Sequence, residues 1–365
     1  MKKIWEILLL LALLAACTAP GYAEIGFAEV NREGVNFRKA PGGEFIARFD
    51  APKSVYVFEE KQVKGQLWCH AYTNIGKSNR AVWVRGDMLR FLSDEFYDVV
   101  SVQGNSHYIT GLRRDGTVAI LGNDMPHSPC IDTVRTWRNV RQVTSSICAV
   151  YALDRSDRLL TVGRSSVYTT DHAAKLCGAQ PILLDTDGYI LPGTAYGDEW
   201  FRHHIPEAAR SMRFADVAEC EREVEAGLTM DGRIVGFNGN EERMREFDHA
   251  PYTAVSMYFY HLAALRADGR VDVVVRANCY EAQADQNACQ VEDWENVVQV
   301  AAGCYHTLGL KRDGTVYYAG SDARHKAQVE GWTDVVQVAA GNGTSIALMA
   351  DGSVAMAGAY TSYER

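Results

Sequence analysis

The sequence lacks the short motifs that mark the commonest catalytic and cofactor-binding sites. Among its 365 residues there is no HExxH, GxxxxGK[ST], GxSxG or GxGxxG motif. Each of those motifs is built around particular metal ligands, a phosphate cradle or a nucleophile. Their absence argues against the corresponding metalloprotease, P-loop, α/β-hydrolase and dinucleotide-binding classes, and we predict no catalytic residue, no metal site and no cofactor.

Positive charge is also scarce. The chain carries 37 Lys and Arg against 46 Asp and Glu, a formal net charge of −9 at pH 7. Nucleic-acid recognition needs a basic stripe, and electrostatic attachment to anionic lipid needs a basic cluster. The charge balance therefore argues against nucleic acid and against a polybasic membrane contact. An acidic protein favours basic partners through long-range electrostatics.

Long apolar runs are missing beyond the N-terminus. The run of ten from Ile7 to Ala16 follows two lysines and is too short for a permanent transmembrane helix. We interpret residues 1–16 as a signal peptide, because Leu14-Ala15-Ala16-Cys17 resembles the bacterial lipobox, in which Cys17 is lipidated. The alternatives are ordinary cleavage after Gly21-Tyr22-Ala23, which makes the signal 1–23, and an unmodified Cys17. Loss of residues 1–16 leaves 35 basic and 45 acidic residues, a formal charge of −10.

The nine cysteines form no CxxC pair and no zinc-finger spacing. Eight remain beside Cys17, an even number in a chain that we expect to be exported. Cys279 and Cys289 lie ten residues apart around a polar stretch, so they are the pair that we expect to form a local disulfide. We expect the others to be buried thiols.

Residues 24–93 have the pattern of a small β domain. Short runs of β-branched and aromatic residues alternate with turn signals such as Pro41-Gly42-Gly43. Several short strands separated by turns are typical of a compact barrel. We expect Trp68 and Trp83 to pack in its core.

This stretch resembles a bacterial SH3 domain. The matching positions are Val35-Asn36-Phe37-Arg38, Pro41-Gly42, the strand around Trp68, and Val82-Trp83-Val84 before Leu89. Domains of this family often bind cell-wall peptides, and the resemblance therefore implies a peptide partner. Tyr56 and Tyr72 are our candidates for lining its groove.

Residues 94–365 contain a repeat of about forty residues. Its clearest copies begin at Trp294 and Trp332, each followed by Val-Val-Gln-Val-Ala-Ala-Gly and then by Leu-x-x-Asp-Gly. A period of this length predicts stacked or ringed β units. An aromatic residue three positions before a valine recurs in six pairs: Phe96/Val99, Trp137/Val140, Phe214/Val217, Tyr252/Val255, Trp294/Val297 and Trp332/Val335.

A second marker, leucine followed three residues later by Asp-Gly, finds a further copy at Leu184 in the longest gap. In the copy at Leu153 the Asp-Gly pair has become Ser156-Asp157. The sequence thus predicts seven copies, two of them degraded, each with three or four strands and a tight Asp-Gly hairpin. This pattern favours a seven-bladed β-propeller, which removes exposed sheet edges by closing into a ring.

The repeat resembles the RCC1-like family. The resemblance lies in the pattern Trp-x-Asn/Asp-Val-Val-x-Val-Ala-Ala-Gly-x-x-His/Thr and Leu-x-x-Asp-Gly-x-Val, with His261 and His306 at its histidine position. It is strong for copies six and seven, fair for one, four and five, and weak for two and three. It implies an all-β, seven-bladed propeller that serves mostly as a protein-binding platform. We interpret both histidines as making internal hydrogen bonds between blades, and the repeated tryptophans as packing residues.

These observations favour an exported, monomeric bacterial protein without catalytic activity, attached to the cell envelope, either secreted or lipid-anchored, that binds a protein, a cell-wall peptide or another macromolecule. One alternative is a propeller enzyme, such as a lyase or hydrolase, with its site in the central channel. Polar, titratable side chains converging from several blades would distinguish it. Another alternative is a structural or adhesive module of the envelope.

Overall fold

A computed structural model describes most of the chain. The described ranges are 26–30, 34–49, 54–75, 78–105, 108–122, 130–146, 149–163, 173–178, 182–191, 205–220, 223–249, 251–276, 286–321 and 328–358. The predicted signal segment, Cys17 and Cys279 lie outside them. The chain divides into two compact units, Met1–Phe91 and Leu92–Arg365.

The first unit is a single antiparallel sheet. Its elements are β1 (Gly26–Val30), β2 (Val35–Arg38), β3 (Phe45–Phe49), β4 (Ser54–Val63), β5 (Gln66–Ile75), β6 (Ser78–Arg85), the 3₁₀ helix η1 (Gly86–Met88) and β7 (Leu89–Phe91). The strand order is β3-β2-β6-β5-β4-β1-β7. Alternation puts Val55, Val57, Val82 and Val84 in the core, where all four are fully buried.

Both tryptophans of the first unit are buried, as predicted. The Trp83 indole stacks on the imidazole of His70, with ring centroids 4.4 Å apart and planes 8° from parallel. His70 and Trp83 are also cross-strand partners in the register of β5 and β6. A cross-strand aromatic pair of this kind stabilises the pairing of the two strands.

The second unit contains, in its described residues, seven small antiparallel sheets, numbered here S1 to S7. Their strands are β8 (Val99–Gly104), β9 (Tyr108–Arg113) and β10 (Val118–Gly122) in S1; β11 (Val140–Ser145), β12 (Ala149–Asp154) and β13 (Leu159–Gly163) in S2; β14 (Lys175–Cys177) and β15 (Ile182–Leu184) in S3; β16 (Phe214–Cys220), β17 (Glu223–Thr229) and β18 (Ile234–Gly236) in S4; β19 (Tyr252–Tyr258), β20 (His261–Arg266) and β21 (Val271–Val275) in S5; β22 (Val297–Ala302), β23 (His306–Lys311) and β24 (Val316–Gly320) in S6; and β25 (Val335–Ala340), β26 (Thr344–Met349) and β27 (Val354–Gly358) in S7.

Short helices connect the sheets. Those with described bounds are α1 (Leu92–Glu95), α2 (Ile131–Arg135) and α3 (Glu207–Arg210), with 3₁₀ helices η2 (Arg243–Glu246) and η3 (Gln286–Cys289). In the described part of the chain, no helix has the length and apolar character needed to cross a membrane. The described elements form an all-β, propeller-like unit with minor helical connections.

The first strand of each sheet contacts the first strand of the next sheet, and S7 contacts S1. Two kinds of contact join S7 to S1. The backbone N–H of Val99 donates to the carbonyl of Gly352 at 3.1 Å. The Gln337 side chain accepts from the N–H of Val102 at 3.0 Å and donates to its carbonyl at 3.1 Å. The first and last sheets of the repeat array are therefore hydrogen-bonded to each other.

Each Asp-Gly hairpin contacts the next sheet, and this contact explains why the repeat needs glycine after the aspartate. We call the first strand of each sheet its inner strand. The carbonyl of each hairpin glycine accepts a hydrogen bond from the backbone N–H of the first residue of the next sheet's inner strand. This bond joins Gly116 to Val140, Gly188 to Phe214, Gly232 to Tyr252, Gly269 to Val297, Gly314 to Val335 and Gly352 to Val99. At Gly314, φ is +82° and an added Cβ would lie 3.2 Å from the backbone of Asp334. A side chain there would strain the turn and meet the next sheet.

The strand registers correct the alignment of copies four and five. Val297 pairs with Lys311, one residue beyond the repeat leucine. Phe214 and Tyr252 make the same pair, with Thr229 and Arg266, so they occupy the valine position. The proposed pairs Phe214/Val217 and Tyr252/Val255 are therefore three residues out of register with the other four.

In copy four the ring of Phe214 fills the same space as the aromatic rings of copies one and six, although Phe214 stands at the valine position. An added Cβ would lie 2.9 Å from the Phe96 ring at Gly111, 2.6 Å from Trp294 at Gly309 and 2.2 Å from Phe214 at Gly227. Each glycine immediately precedes the repeat leucine. The space above that glycine is filled by an aromatic ring in all three sheets, which is why pattern matching could exchange the two backbone positions.

Candidate binding site at the turn face

The seven inner strands surround a central cavity of about 370 Å³. Each inner strand begins at the end of the ring that carries the Asp-Gly hairpins, which we call the hairpin face. Each ends at a turn on the opposite side, which we call the turn face. Side chains that line the cavity therefore follow the same order, from hairpin face to turn face, in every sheet.

Near the hairpin face, the residues that pair with the repeat leucines form one layer, and all of them except Gln337 line the cavity. They are Ser101, Gln142, Lys175, Asp216, Ala254, Gln299 and Gln337. Three glutamines of this layer accept a backbone N–H from the next inner strand, that of Leu176, Val338 or Val102. This layer holds neighbouring strands together.

Charged residues of the same layer also hold neighbouring strands together, here through an ion pair. Lys175 donates to the carbonyl of Ala215 at 2.9 Å and pairs with Asp216 at 3.0 Å. Its neighbour Cys177 also lines the cavity. Burial, reinforced by the Asp216 carboxylate, raises the pKa of the Cys177 thiol well above its ordinary value. A thiol with a raised pKa is protonated at neutral pH and is a poor nucleophile.

Arg141 joins S2 to S3, the junction where the degraded hairpin has no glycine. Its guanidinium donates to the carbonyls of Asp154, Ala173 and Ala174 at 3.1, 2.5 and 2.9 Å. It also pairs with Asp157 at 2.8 Å. The equivalent residues of S6 and S7 are the exposed Val298 and Val336. One arginine thus performs the role that a backbone hydrogen bond performs at the other six junctions.

At the turn face, buried polar side chains link adjacent sheets. His261 is hydrogen-bonded to Thr307 at 2.8 Å, and His306 to Ser345 at 3.1 Å. Asn105 donates to Ser145 at 2.7 Å. The prediction that both histidines make internal hydrogen bonds between sheets is confirmed.

Beside the cavity mouth at the turn face lies a cluster of four aromatic rings, Tyr258, Phe259, Tyr260 and Tyr305, which we call the aromatic platform. Neighbouring centroids are 5.0, 6.2 and 5.3 Å apart along that order. The hydroxyls of Tyr260 and Tyr305 lie 3.4 Å apart. All four rings are partly exposed, Tyr305 by 42%. Because Tyr258 also lines the cavity, the platform continues into it.

A buried ion pair holds the platform's backbone. Arg276 pairs with Glu225 of S4 at 2.8 Å, and Glu225 is also hydrogen-bonded to Asn240. The backbone N–H of Arg276 donates to the carbonyl of Tyr260 at 2.9 Å, and its side chain reaches the carbonyl of Phe259 at 3.5 Å. The turn that carries Phe259 and Tyr260 is therefore fixed by S4, so the rings are preorganised.

The cavity wall at the platform's end is narrow and has one ionisable side chain among its described residues. The equivalent positions are Gly104, Ser145, Gly178, Glu219, Met257, Ala302 and Ala340. Five of the seven are glycine, alanine or serine. Glu219 is buried and lies against Gly178, where an added Cβ would be 2.5 Å from its Cγ.

The residues predicted from sequence lie elsewhere. Tyr56 and Tyr72 are cross-strand partners of β4 and β5 in the first unit. This register is what a shared groove requires, and their groove role stays a prediction. Cys289 ends η3, whereas Cys279 is outside the described residues, so their disulfide also stays a prediction. Trp137 and Trp294 are buried in hydrophobic clusters shared by neighbouring sheets, which confirms the packing interpretation.

The platform was not predicted from the sequence. A signal was available in the run Met257-Tyr258-Phe259-Tyr260 and in Tyr305, which stand at the turn between the first two strands of adjacent copies. The repeat consensus directs attention to shared positions, whereas these aromatics vary between copies. Loops on a rigid scaffold commonly carry recognition, and this turn fits that rule.

The first unit has a cavity of its own, of about 360 Å³, beside the buried Trp68. Arg38 and Arg85 line it, and each is already engaged. Arg38 donates to the carbonyl of Gly43 at 2.7 Å, and Arg85 pairs with Asp87 at 2.6 Å. Within the residues that the structure describes, no group of three or more His, Cys, Asp or Glu side chains is arranged to hold a metal ion.

Solved structures with a similar fold have little sequence in common with this chain. The ectodomain of the receptor kinase CR4 from Physcomitrella patens is 15% identical, with 71% of this chain and 72% of that chain covered and a TM-score of 0.47. The C-terminal domain of gp131 from bacteriophage phiKZ is 10% identical, with 74% and 94% covered and a TM-score of 0.44. Prp20p from Saccharomyces cerevisiae, described with its binding to Gsp1p and histones, is 12% identical, with 85% and 67% covered and a TM-score of 0.25.

No curated protein sequence matches the chain. One family model does: residues 297–325 match the Regulator of chromosome condensation (RCC1) repeat. This range includes the three strands of S6 and its hairpin, in the copy in which the sequence resemblance is strong. The RCC1-like character of copy six is thereby confirmed, and the chain contains an RCC1 repeat within a propeller-like unit.

Proposed function

We propose that this chain is a binding protein whose second unit, a closed seven-bladed propeller, recognises a protein or another macromolecule through its turn face without catalysing a reaction. The observation that carries the proposal is the aromatic platform. Partly exposed tyrosine and phenylalanine rings on a rigid backbone are typical of interaction sites, because they offer a large contact area at little entropic cost. The hydrogen bonds between S7 and S1 support the closed ring.

A propeller enzyme with a site in the central channel is the second candidate. Ionisable side chains do converge on the cavity, namely Arg141, Lys175, Asp216 and Glu219. The first three are used in contacts within and between sheets, and the Cys177 thiol is held in its protonated form. This use of the charges favours a structural role for the wall and binding at its mouth.

For the first unit we propose an SH3-like module that binds cell-wall peptide, with Tyr56 and Tyr72 at its groove. For the N-terminus we propose export, with Cys17 lipidated at the envelope. These parts rest on the motifs of the sequence. Mass spectrometry of the mature N-terminus tests the second, since acylated Cys17 supports it and a chain beginning at Glu24 contradicts it. Sedimentation of the protein with purified peptidoglycan, with a Tyr56→Ala, Tyr72→Ala variant, tests the first.

The binding role is tested by placing a photo-crosslinking amino acid at position 305 and, as a control, at position 97. Tyr97 is likewise exposed but lies next to the start of β8, at the hairpin face. We expect position 305 to crosslink a discrete envelope protein that position 97 does not. The purified partner should then bind the Tyr260→Ala variant at least ten times more weakly than the wild type and the Tyr97→Ala variant equally well. Equal binding to all three proteins would contradict the proposal.

A further inference from the structure

We propose that the cavity of the first unit binds the carboxylate of a peptide ligand between the guanidinium groups of Arg38 and Arg85. This inference rests on the peptide-binding role proposed for the first unit and assigns the group of the ligand that the cavity takes. It follows from the strand register that brings the two arginines to one place, from the N–H groups that they keep, and from the charge of this unit.

The register of the strands puts both arginines on one face of the sheet. Arg38 of β2 pairs with Trp83 of β6. Arg85 of β6 pairs with Trp68 of β5. Because Trp83 and Arg85 are two residues apart in β6, their side chains lie on the same face, opposite to that of the buried Val84. The two guanidinium groups and the indole of Trp68 therefore lie on one side of β6.

The cavity lies where β2 and β6 part. The described register between these strands consists of the pair Arg38 and Trp83. Continued by two residues, it would place Asn36 opposite Arg85, and both of these residues instead line the cavity of about 360 Å³. Sites for small ligands have volumes of roughly 300–1,000 Å³. The cavity therefore has room for the end of a peptide.

Each arginine keeps N–H groups that can bind a ligand. A guanidinium has five N–H donors. Arg38 uses one hydrogen bond on the carbonyl of Gly43, and Arg85 uses two on the carboxylate of Asp87. Within the residues that the structure describes, neither side chain donates another hydrogen bond. The buried Trp68, which lines the same cavity, adds an indole N–H as a further donor.

The chemistry of the lining favours a carboxylate. Its described side chains include two cations and no Asp or Glu. Arginine and carboxylate form short, charge-assisted hydrogen bonds with matching planar geometry. The contacts with Gly43 and Asp87 restrain the two guanidinium groups before a ligand arrives, which lowers the entropic cost of binding.

The charge of the first unit favours the same ligand. Residues 26–91 carry 11 Lys and Arg against 7 Asp and Glu, whereas the rest of the chain carries 26 against 39. This region is therefore positively charged within a chain whose net charge is −9. Long-range electrostatic attraction guides an anionic group to such a region.

The cavity also lies within reach of the groove proposed for the peptide. Tyr72 stands four residues beyond Trp68 in β5, about 13 Å along the strand. An extended peptide rises by a similar distance per residue. A peptide whose carboxylate lies in the cavity therefore needs about four residues to reach the position of Tyr72.

The test uses N-acetyl-alanyl-alanine as the probe and its C-terminal amide as the neutral control, each titrated into the full-length protein with isotope-labelled tryptophan. We expect saturable changes in the indole signal of Trp68 at millimolar acid, with no change at Trp294 in the second unit. The amide should bind about tenfold more weakly, since it lacks the charge. Added salt should weaken binding of the acid. Tighter binding of glycerol phosphate than of the acid would overturn the assignment to a carboxylate.

Two variants and a matched control complete the test. Arg85→Gln removes a guanidinium whose pair with Asp87 is exposed, so it should fold and bind the acid about tenfold more weakly. Arg38→Lys keeps the positive charge without the planar fork and should also weaken binding. Lys39→Gln removes a neighbouring exposed cation, paired with Glu44, and should leave binding unchanged. Circular dichroism confirms that each variant is folded.

Equal binding of the acid and the amide, or binding of the acid that neither Arg85→Gln nor Arg38→Lys weakens, would overturn the inference. If peptidoglycan in that case still sediments the wild type but not the Tyr56→Ala, Tyr72→Ala variant, the proposed peptide-binding role stands; if it does not, both are wrong.

Discussion

Sheets S6, S7 and S1 and sheets S2 to S5 form the same kind of ring segment with different chemistry. At the S6–S7 and S7–S1 junctions, Gln299 and Gln337 bind the next strand's backbone, beside the hairpin bond. Across S2 to S5, the contacts include the charged residues Arg141, Lys175 and Arg276. The comparison shows that a junction between sheets can lose its glycine hairpin bond and keep its contact, provided that another donor, here Arg141, reaches carbonyls of the next sheet.

The largest effect is expected at the buried ion pair of S4 and S5. Arg276→Ala leaves Glu225, whose side chain is 1% exposed, without its guanidinium partner. Removing one member of a buried pair typically costs about 3–5 kcal/mol. We expect urea unfolding of the full chain to show a loss in this range. The control is Arg233→Ala, which breaks an exposed pair with Asp231 and should leave the stability nearly unchanged. Equal effects would contradict the charged-junction interpretation.

The next largest loss of stability is expected at Arg141, whose equivalent in S6 and S7 is a valine. Arg141→Val places the S6 and S7 residue in S2 and removes the donor to three carbonyls. Hydrogen bonds to charged groups contribute about 1.5–3 kcal/mol each, but solvent re-hydrates part of this site, so we expect a net loss of about 2 kcal/mol. The S6–S7 junction already has the hydrogen bond from Val335 to Gly314, and Val298 is exposed, so the reciprocal variant Val298→Arg should be near neutral in the same unfolding measurement.

A smaller effect is expected from the glutamine that joins S7 to S1. Gln337→Ala removes one accepted and one donated hydrogen bond with Val102. Neutral hydrogen bonds contribute about 1 kcal/mol each, so the loss should be about 1–2 kcal/mol. Hydrogen exchange should increase at Val102 and be unchanged in S4. Gln290→Ala, at an exposed position, is the control, and an equal loss there would rule out the role given to Gln337.

The smallest effect is expected on the stability of the protein at acid pH. The side-chain hydroxyls of Thr117, Thr315 and Ser353, followed by the backbone N–H of the same residues, hold the pKa of Asp115, Asp313 and Asp351 below the ordinary value of 3.8. A lowered pKa in the folded state means that the stabilisation is present above pH about 4 and is lost as the pH falls through the lowered value. Asp313→Asn should therefore reduce the decline of the urea midpoint between pH 5 and 2.5. An unchanged pH profile would contradict this assignment.

In the degraded copies the hairpin keeps its chemistry with different residues. Asp154 and Asp185, each directly after the repeat leucine, accept backbone N–H groups at their turns. Burial raises the pKa of Asp154, but hydrogen bonds from the backbone and side chain of Arg158 outweigh it, so the pKa lies below its usual range. The pair Leu-Asp was visible in both copies, yet only the structure shows that its carboxylate accepts the backbone N–H groups of the turn, in copy three beside the retained Asp187-Gly188.

The sequence by itself determined the repeat, the Asp-Gly hairpins and the all-β character, because each depends on local residue types and their spacing. It also predicted seven copies, and seven small sheets lie in the described part of the second unit. Tertiary structure decided the register of Phe214 and Tyr252, the contacts of Arg141 and the grouping of Tyr260 with Tyr305. Those residues meet across sheets, 45 positions apart for the two tyrosines, and no local pattern specifies which side chains share a junction once the strands pack around a common cavity.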